Sequence, residues 1–283
     1  MSTHTVTING IDLVYEKDGT GPPLVFLHGG NASAVWWEHV IPYVMDKFTC
    51  FRLEQRGHGR SGRAPDGDYR YSSMVDETIG FMDQVTGQAI LVGQSQGGVV
   101  AMGVAAKRPD LARGVFLEDS VPAMYDQTRN EGFPILKWFA ALADVAERRD
   151  REGLSLTEFA YHLGQCAPFG RRPIDIWPPT QLQFYARHAY GTDPAWYRFQ
   201  GERRATNPDG AGDATLRAVT CPVHVAYGDT ATGGMVTPED VAELENTGPN
   251  RSSTHFPGAG HGIAVPFARE FIDDLKAFLA QVG

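Results

Sequence analysis

Positive charge is scarce in this chain. Its 283 residues carry 25 Lys and Arg against 34 Asp and Glu, a formal net charge of −9. That balance, with no basic block anywhere, argues against nucleic acid and against an anionic membrane surface as partners. Cysteine is also scarce. Cys50, Cys166 and Cys221 are odd in number and far apart, which argues against a disulfide framework or a zinc site and fits a reduced, cytoplasmic setting. No uninterrupted apolar run approaches the roughly 20 residues of a membrane span. The opening "MSTHTVTING" lacks the charged-then-apolar pattern of a signal peptide. There is no internal repeat and no low-complexity tract. What remains is an ordinary globular composition, 42% hydrophobic and 21% charged, at a length that suits one large domain or one domain with an insertion.

The apolar pattern gives the architecture. "HTVTINGIDLVYEK" alternates around "NG" and predicts an antiparallel hairpin. "LVFLHGG", "TCFRLEQRGHG", "QAILVG" and "GVFLEDS" are short apolar runs, as expected of strands covered on both faces. Between them "AVWWEHVIPYVMDKF" predicts a helix kinked or ended at Pro42. "SSMVDETIGFMDQV" predicts a second helix capped by Ser72 or Ser73, and "GGVVAMGVAAKRP" a third. Strand and helix in repeated alternation predict a mostly parallel, doubly wound α/β sheet. The rhythm breaks over residues 123–210, where only helices separated by proline and glycine are expected. It returns at "CPVHVAYGD", "TPEDVAELENT", "STHFPGAGH" and a final helix. The domain reading is a sheet core of residues 1–122 and 211–283 with a helical cap of 123–210.

Gly93-Gln94-Ser95-Gln96-Gly97 fits G-x-S-x-G at a predicted strand-to-helix turn. Such a turn holds the serine in a strained backbone conformation with its hydroxyl clear of the sheet. A serine needs a base to become a nucleophile. His261, in the loop after the last strand, is expected at the same end of the sheet, whereas His28 and His58 read as braces of their loops. The amides of Gly30, in "LHGG", and of Gln96, at a helix start, can converge on a developing oxyanion.

The run "LHGG", "RGHGRSG", "GQSQGG", "GAGH", in this order, resembles the α/β-hydrolase superfamily over almost the whole chain. The resemblance implies the α/β-hydrolase fold, and a triad in the chain order Ser, acid, His. One position departs from the commonest pattern: three residues after Gly228, where that family places its acid, stands Ala231. A minority takes the acid from the strand after the nucleophile helix. In that respect "GVFLEDS" is similar to zearalenone-type lactonases, haloalkane dehalogenases and coelenterazine luciferases. The resemblance therefore favours Glu118. Asp119 and Asp229 are the alternatives, with Glu118 and Asp119 on opposite sides for as long as the chain stays extended.

The expectation is a serine hydrolase of an ester or lactone (carboxylesterase or lactonase type), using Ser95, His261 and Glu118 with no cofactor and no metal. The aromatic-rich cap (Trp138, Phe139, Phe159, Tyr161, Phe169, Trp177, Phe184, Tyr185, Trp196) and Trp36 suit an apolar, ring-containing small molecule. Of these, Trp36, Trp138, Trp177, Tyr185 and Trp196 are the candidate binding residues. The alternatives on the same fold are a cofactor-independent dioxygenase, a C–C bond hydrolase and a catalytically silent ligand-binding protein. Dehalogenase chemistry needs an aspartate where Ser95 stands. Whether the chain acts alone or as a homodimer is left open.

Overall fold

A computed structural model describes residues 1–121, 134–167, 170–202 and 212–283. The eight strands in it form a single sheet. β1 (Ser2–Ile8) and β2 (Ile11–Asp18) make the hairpin. Asn9 and Gly10 both take positive φ, 51° and 80°, as a two-residue turn matched to strand twist requires. There follow β3 (Pro23–Leu27), β4 (Thr49–Leu53), β5 (Ala89–Gln94), β6 (Ala112–Glu118), β7 (Val223–Tyr227) and β8 (Arg251–His255). Their order across the sheet is β1-β2-β4-β3-β5-β6-β7-β8, parallel from β4 to β8. The chain winds outward in both directions from β3, so the strand ends of β3, β5 and β6 bound the crevice where such sheets carry their sites.

Both faces of the sheet are covered, which is why the central strands are wholly apolar. In β3, Leu24 and Phe26 pack to one side with Phe271 and Phe278, while Val25 and Leu27 pack to the other with Val100 and Val104. On the second side lie α1 (Tyr71–Phe81), α2 (Gln96–Lys107) and α9 (Pro238–Glu245), the last joining β7 to β8; on the first lies α10 (Ala268–Val282). Two expectations fail locally. "AVWWEHVIPYV" is not one helix but two 3₁₀ turns, Ala34–Trp37 and Ile41–Tyr43; Pro42 sits inside the second turn and cannot donate to a continuing helix. Helix α1 starts after Arg70 with no side-chain cap, and Ser73 Oγ donates instead to Asp68 Oδ2 at 2.5 Å.

Within the expected cap the described residues are helical throughout their regular elements: α3 (Pro134–Glu152), α4 (Leu156–Gln165), α5 (Pro173–Ile176), α6 (Pro179–Ala189) and α7 (Pro194–Gly201); α8 (Gly212–Ala218) leads back to β7. Both boundaries of that segment, and Phe169, lie outside the described residues. Asp193 ties the segment down. Its amide donates to the Gly57 carbonyl at 2.8 Å, one carboxylate oxygen caps α7 through the Ala195 amide at 2.9 Å, and the other accepts from Tyr69 Oη. No described helix is long and apolar enough to cross a membrane.

Candidate active site

Ser95 stands between the end of β5 and the first turn of α2. Its backbone is at φ 50°, ψ −120°, a conformation that costs a non-glycine residue about 1–3 kcal/mol. The surrounding packing enforces it. A Cβ added at Gly97 would lie 2.2 Å from the Leu27 carbonyl oxygen, and one at Gly93 would lie 2.5 Å from the Gly97 carbonyl. Only glycines let helix and strand approach this closely, which accounts for the G-x-S-x-G spacing. Ser120 Oγ donates to the Ser95 carbonyl at 2.7 Å and holds the turn from the β6 side.

The carboxylate beside His261 is Asp119, not the expected Glu118. Asp119 Oδ2 lies 2.7 Å from His261 Nδ1. The same oxygen accepts from the Met235 amide at 2.8 Å, and Oδ1 from the Val236 amide at 3.3 Å. The side chain is completely buried, so these bonds replace the water it has lost. The expectation failed because β6 ends at Glu118. Asp119 takes φ 43°, so the alternation of sides that holds along a strand does not extend to it. Aspartate tolerates this left-handed conformation better than most residues.

Glu118 has a different task. Its Oε1 accepts from the amides of Ile263 and Ala264, both at 2.7 Å, and its Oε2 from Trp36 Nε1 at 3.0 Å. It thus pins the loop that carries His261 and, with the same carboxylate, an indole of the cavity wall. Burial raises its pKa to about 7, although the three donors favour the ionised form. Asp229 is removed from this group. It accepts from His255 Nε2 and the Gly258 amide, both at 2.7 Å, on the exposed side of the β7 and β8 ends. These two donors lower its pKa.

The amides expected to form an oxyanion hole border the same cavity. Gly30 and Gln96 both line it, and neither N–H makes a turn or loop hydrogen bond among the described residues. Gln96 opens α2, so its amide is one of the helix's free N-terminal donors. A side chain at Gly30 would collide with the Trp196 ring, its Cβ only 2.7 Å from Cζ2. His28 and His58 are buried beneath. His28 Nε2 accepts from the Gln55 amide at 3.1 Å and Nδ1 donates to the Gly29 carbonyl at 2.7 Å. His58 accepts from the Asn31 amide at 3.4 Å. Burial lowers the pKa of both, to about 4 and about 3, so they hold the loops as neutral rings.

The cavity has a volume of about 320 Å³ and is lined by Ser95 and His261 together with residues of the helical segment. Of the expected binding aromatics, Trp36, Tyr185 and Trp196 reach it. Trp138 and Trp177 are not among its described lining residues. They stand behind Tyr185, with ring centroids 5.8 and 5.4 Å from it, and Trp138 Nε1 donates to Tyr185 Oη at 2.9 Å. Phe139, Phe184 and Tyr71 also contribute to the aromatic wall. The lining residues that the sequence reading missed include polar and sulfur-containing ones, among them the Gln96 side chain, His188, Gln200 and Met235. Two of them carried a usable signal, since His188 follows Phe184, and Gln200 follows Trp196, by one helical turn. Among the described residues no cluster of three or more His, Cys, Asp or Glu is arranged to hold a metal ion.

Comparison with known proteins bears on the whole arrangement. The family described as the alpha/beta hydrolase fold matches residues 22–265. A 2-(acetamidomethylene)succinate hydrolase of Mesorhizobium japonicum is 36% identical over 118 residues, which are 41% of this chain; the chain spans only 42% of that protein's length. An esterase of Mycobacterium tuberculosis is 25% identical over 92% of this chain and 84% of its own. Among solved structures, a carboxylesterase of Nitrososphaera gargenis superposes with a TM-score of 0.78 at 20% identity, covering 99% of this chain and 98% of its own. At that identity the likeness shows the fold.

Proposed function

The chain belongs to the α/β-hydrolase family, and from that premise we propose that it is a serine hydrolase cleaving a carboxylic ester or lactone through an acyl-enzyme. The observation that carries this reading is the joint placement of three residues. Ser95 is held in a strained turn on the cavity, His261 lines the same cavity, and Asp119 fixes the His261 ring through Nδ1 at 2.7 Å.

The chemistry follows from the tautomer. Asp119 accepts from Nδ1–H, which leaves Nε2 as the basic nitrogen. Nε2 takes the Ser95 proton as Oγ attacks the carbonyl carbon. The carbonyl π electrons move to oxygen, where the Gly30 and Gln96 amides stabilise the charge. As the C–O bond to the leaving group breaks, the imidazolium returns its proton to the departing alkoxide. Water then repeats the sequence on the acyl-enzyme and frees Ser95. Asp119 keeps its hydrogen bond to Nδ1 and supports the imidazolium.

The wall of aromatic rings supports an apolar, ring-containing substrate. A dicarboxylate of the kind named for the Mesorhizobium hydrolase would meet no Lys or Arg among the described lining residues. The test is pre-steady-state turnover of an activated aryl ester. A burst of phenol equal to the enzyme concentration, lost in Ser95→Ala, is the expected result. Turnover that consumes oxygen and persists in Ser95→Ala would instead identify the dioxygenase reading.

A further inference from the structure

The cavity wall is aromatic, yet its residues carry buried polar atoms with no partner among the described residues. Among the described residues, Gln96 Nε2, Gln200 Nε2 and both ring nitrogens of His188 have no hydrogen-bond partner, and each of these atoms is itself almost wholly covered. All three residues line the cavity, and their exposures are 1%, 6% and 3%. The orientation of Gln96 is decided by its neighbour. Its Oε1 accepts from Trp196 Nε1 at 3.2 Å, and an indole N–H can only donate, so the amide nitrogen must be the atom left over. Gln200 lies one turn beyond Trp196 on α7, so that Gln96, Trp196 and Gln200 form one continuous strip of wall. His188 is set edge-on between Trp36 and Phe184, at centroid distances of 5.5 and 4.3 Å. Burial pushes its pKa down to about 3, so it offers one N–H donor and one acceptor without charge.

An unpaired buried donor is costly, and native proteins keep few of them. Several on residues that line one cavity are polar groups that a ligand can engage once these side chains turn towards it. We infer that Gln96, Gln200 and His188 form a recognition subsite for an uncharged oxygen group (a ketone, ether or hydroxyl) carried by the substrate away from the bond that is cleaved. The subsite favours donors aimed at oxygen over cations, so it discriminates between shapes that differ only in polarity. A carbonyl gains hydrogen bonds there, a hydrocarbon of the same shape leaves the donors unpaired, and a carboxylate brings a charge into an aromatic wall that has no described Lys or Arg to meet it. This inference rests on the cavity's being the substrate site of the reaction proposed above.

Binding to the full-length Ser95→Ala protein, read by quenching of tryptophan fluorescence, tests the subsite without requiring turnover. Three probes of matched shape are compared: 4-acetylphenyl acetate, 4-isopropylphenyl acetate and 4-carboxyphenyl acetate. The acetyl ester should bind about 5- to 30-fold more tightly than the isopropyl ester, the range expected for satisfying one or two buried donors. The carboxylate should bind most weakly. Adding Gln200→Met or His188→Phe should bring the acetyl-to-isopropyl ratio towards one, and because that ratio is internal to each variant, a general loss of folding cannot imitate it. Equal binding of the acetyl and isopropyl esters, a ratio unmoved by both substitutions, tightest binding of the carboxylate, or no millimolar binding of the acetyl ester would each overturn the inference. Hydrolysis of the probes by Ser95→Ala would defeat the catalytic reading and still leave the binding ratios to judge the subsite.

Discussion

The two sides of the cavity are built on different terms. On the sheet side, the reacting groups sit on short turns after β5, β6 and β8, held by backbone amides and by glycines that permit no other packing. On the helical side, α6 and α7 present aromatic rings interrupted by residues whose polar atoms have no partner among the described residues. Fixed geometry suits chemistry common to many substrates, whereas a wall with unmet hydrogen bonds suits selection among them. Trp196 is one of the residues that join the two: its ring lies over Gly30 and its N–H reaches Gln96, so a helical side chain borders both expected oxyanion donors.

If that division is right, substitutions on the sheet side should depress all substrates alike. The largest effect belongs to Ser95→Ala, with a loss on the order of 10⁶ in kcat for every ester tried and no change in the thermal unfolding midpoint large enough to signal misfolding. Asp119→Asn should follow, with kcat falling about 10³- to 10⁴-fold, because the amide cannot support the imidazolium. Glu118→Gln should cost less than about 30-fold. Its carbonyl still accepts from Ile263 and Ala264, but its NH₂ now faces the Trp36 donor. Asp229→Asn should leave kcat within about twofold, since its carboxylate bonds His255 and Gly258 at the surface, away from the cavity. Steady-state kinetics on one aryl ester ranks all four. A loss in Glu118→Gln exceeding that in Asp119→Asn would reverse the roles assigned to the two neighbours.

The smallest effect is on stability. The folded pKa of Glu118 is raised to about 7 from an ordinary 4.5, so the native state binds its proton more tightly than the unfolded chain does. Its contribution is therefore fully present below about pH 4.5 and is lost as pH rises through about 7. The loss amounts to roughly 3 kcal/mol. Urea unfolding at pH 5 and pH 8 should show a steeper decline for the parent than for Glu118→Gln. Parallel declines would mean that the three donors keep this carboxylate ionised across the range.

The fold was legible because its signals are local and repeated. Turn residues at Asn9-Gly10, doubly buried strands and the glycines around Ser95 each impose a constraint that a sequence displays directly. Ser95 and His261 were legible for the same reason, as they stand at strand ends that the pattern defines. The acid was not. The choice between Glu118 and Asp119 turns on one backbone angle, φ 43° at Asp119, which ends the alternation one residue earlier than an extended strand would. The binding wall was legible only as a composition rich in aromatics. Which rings face inward depends on how α6 and α7 pack on the core, and that packing sends Trp196 into the cavity and Trp138 behind Tyr185. The unpaired atoms of Gln200 and His188 are visible only once burial and neighbours are known.

The most direct test of the catalytic account is peptide mass mapping after rapid quench of the parent enzyme with a slowly deacylating aryl ester. The account predicts a single acyl adduct on the peptide containing Ser95, absent in Ser95→Ala and still formed, though more slowly, in Asp119→Asn. Full turnover with no adduct at Ser95, or an adduct on any other residue that survives Ser95→Ala, would contradict it.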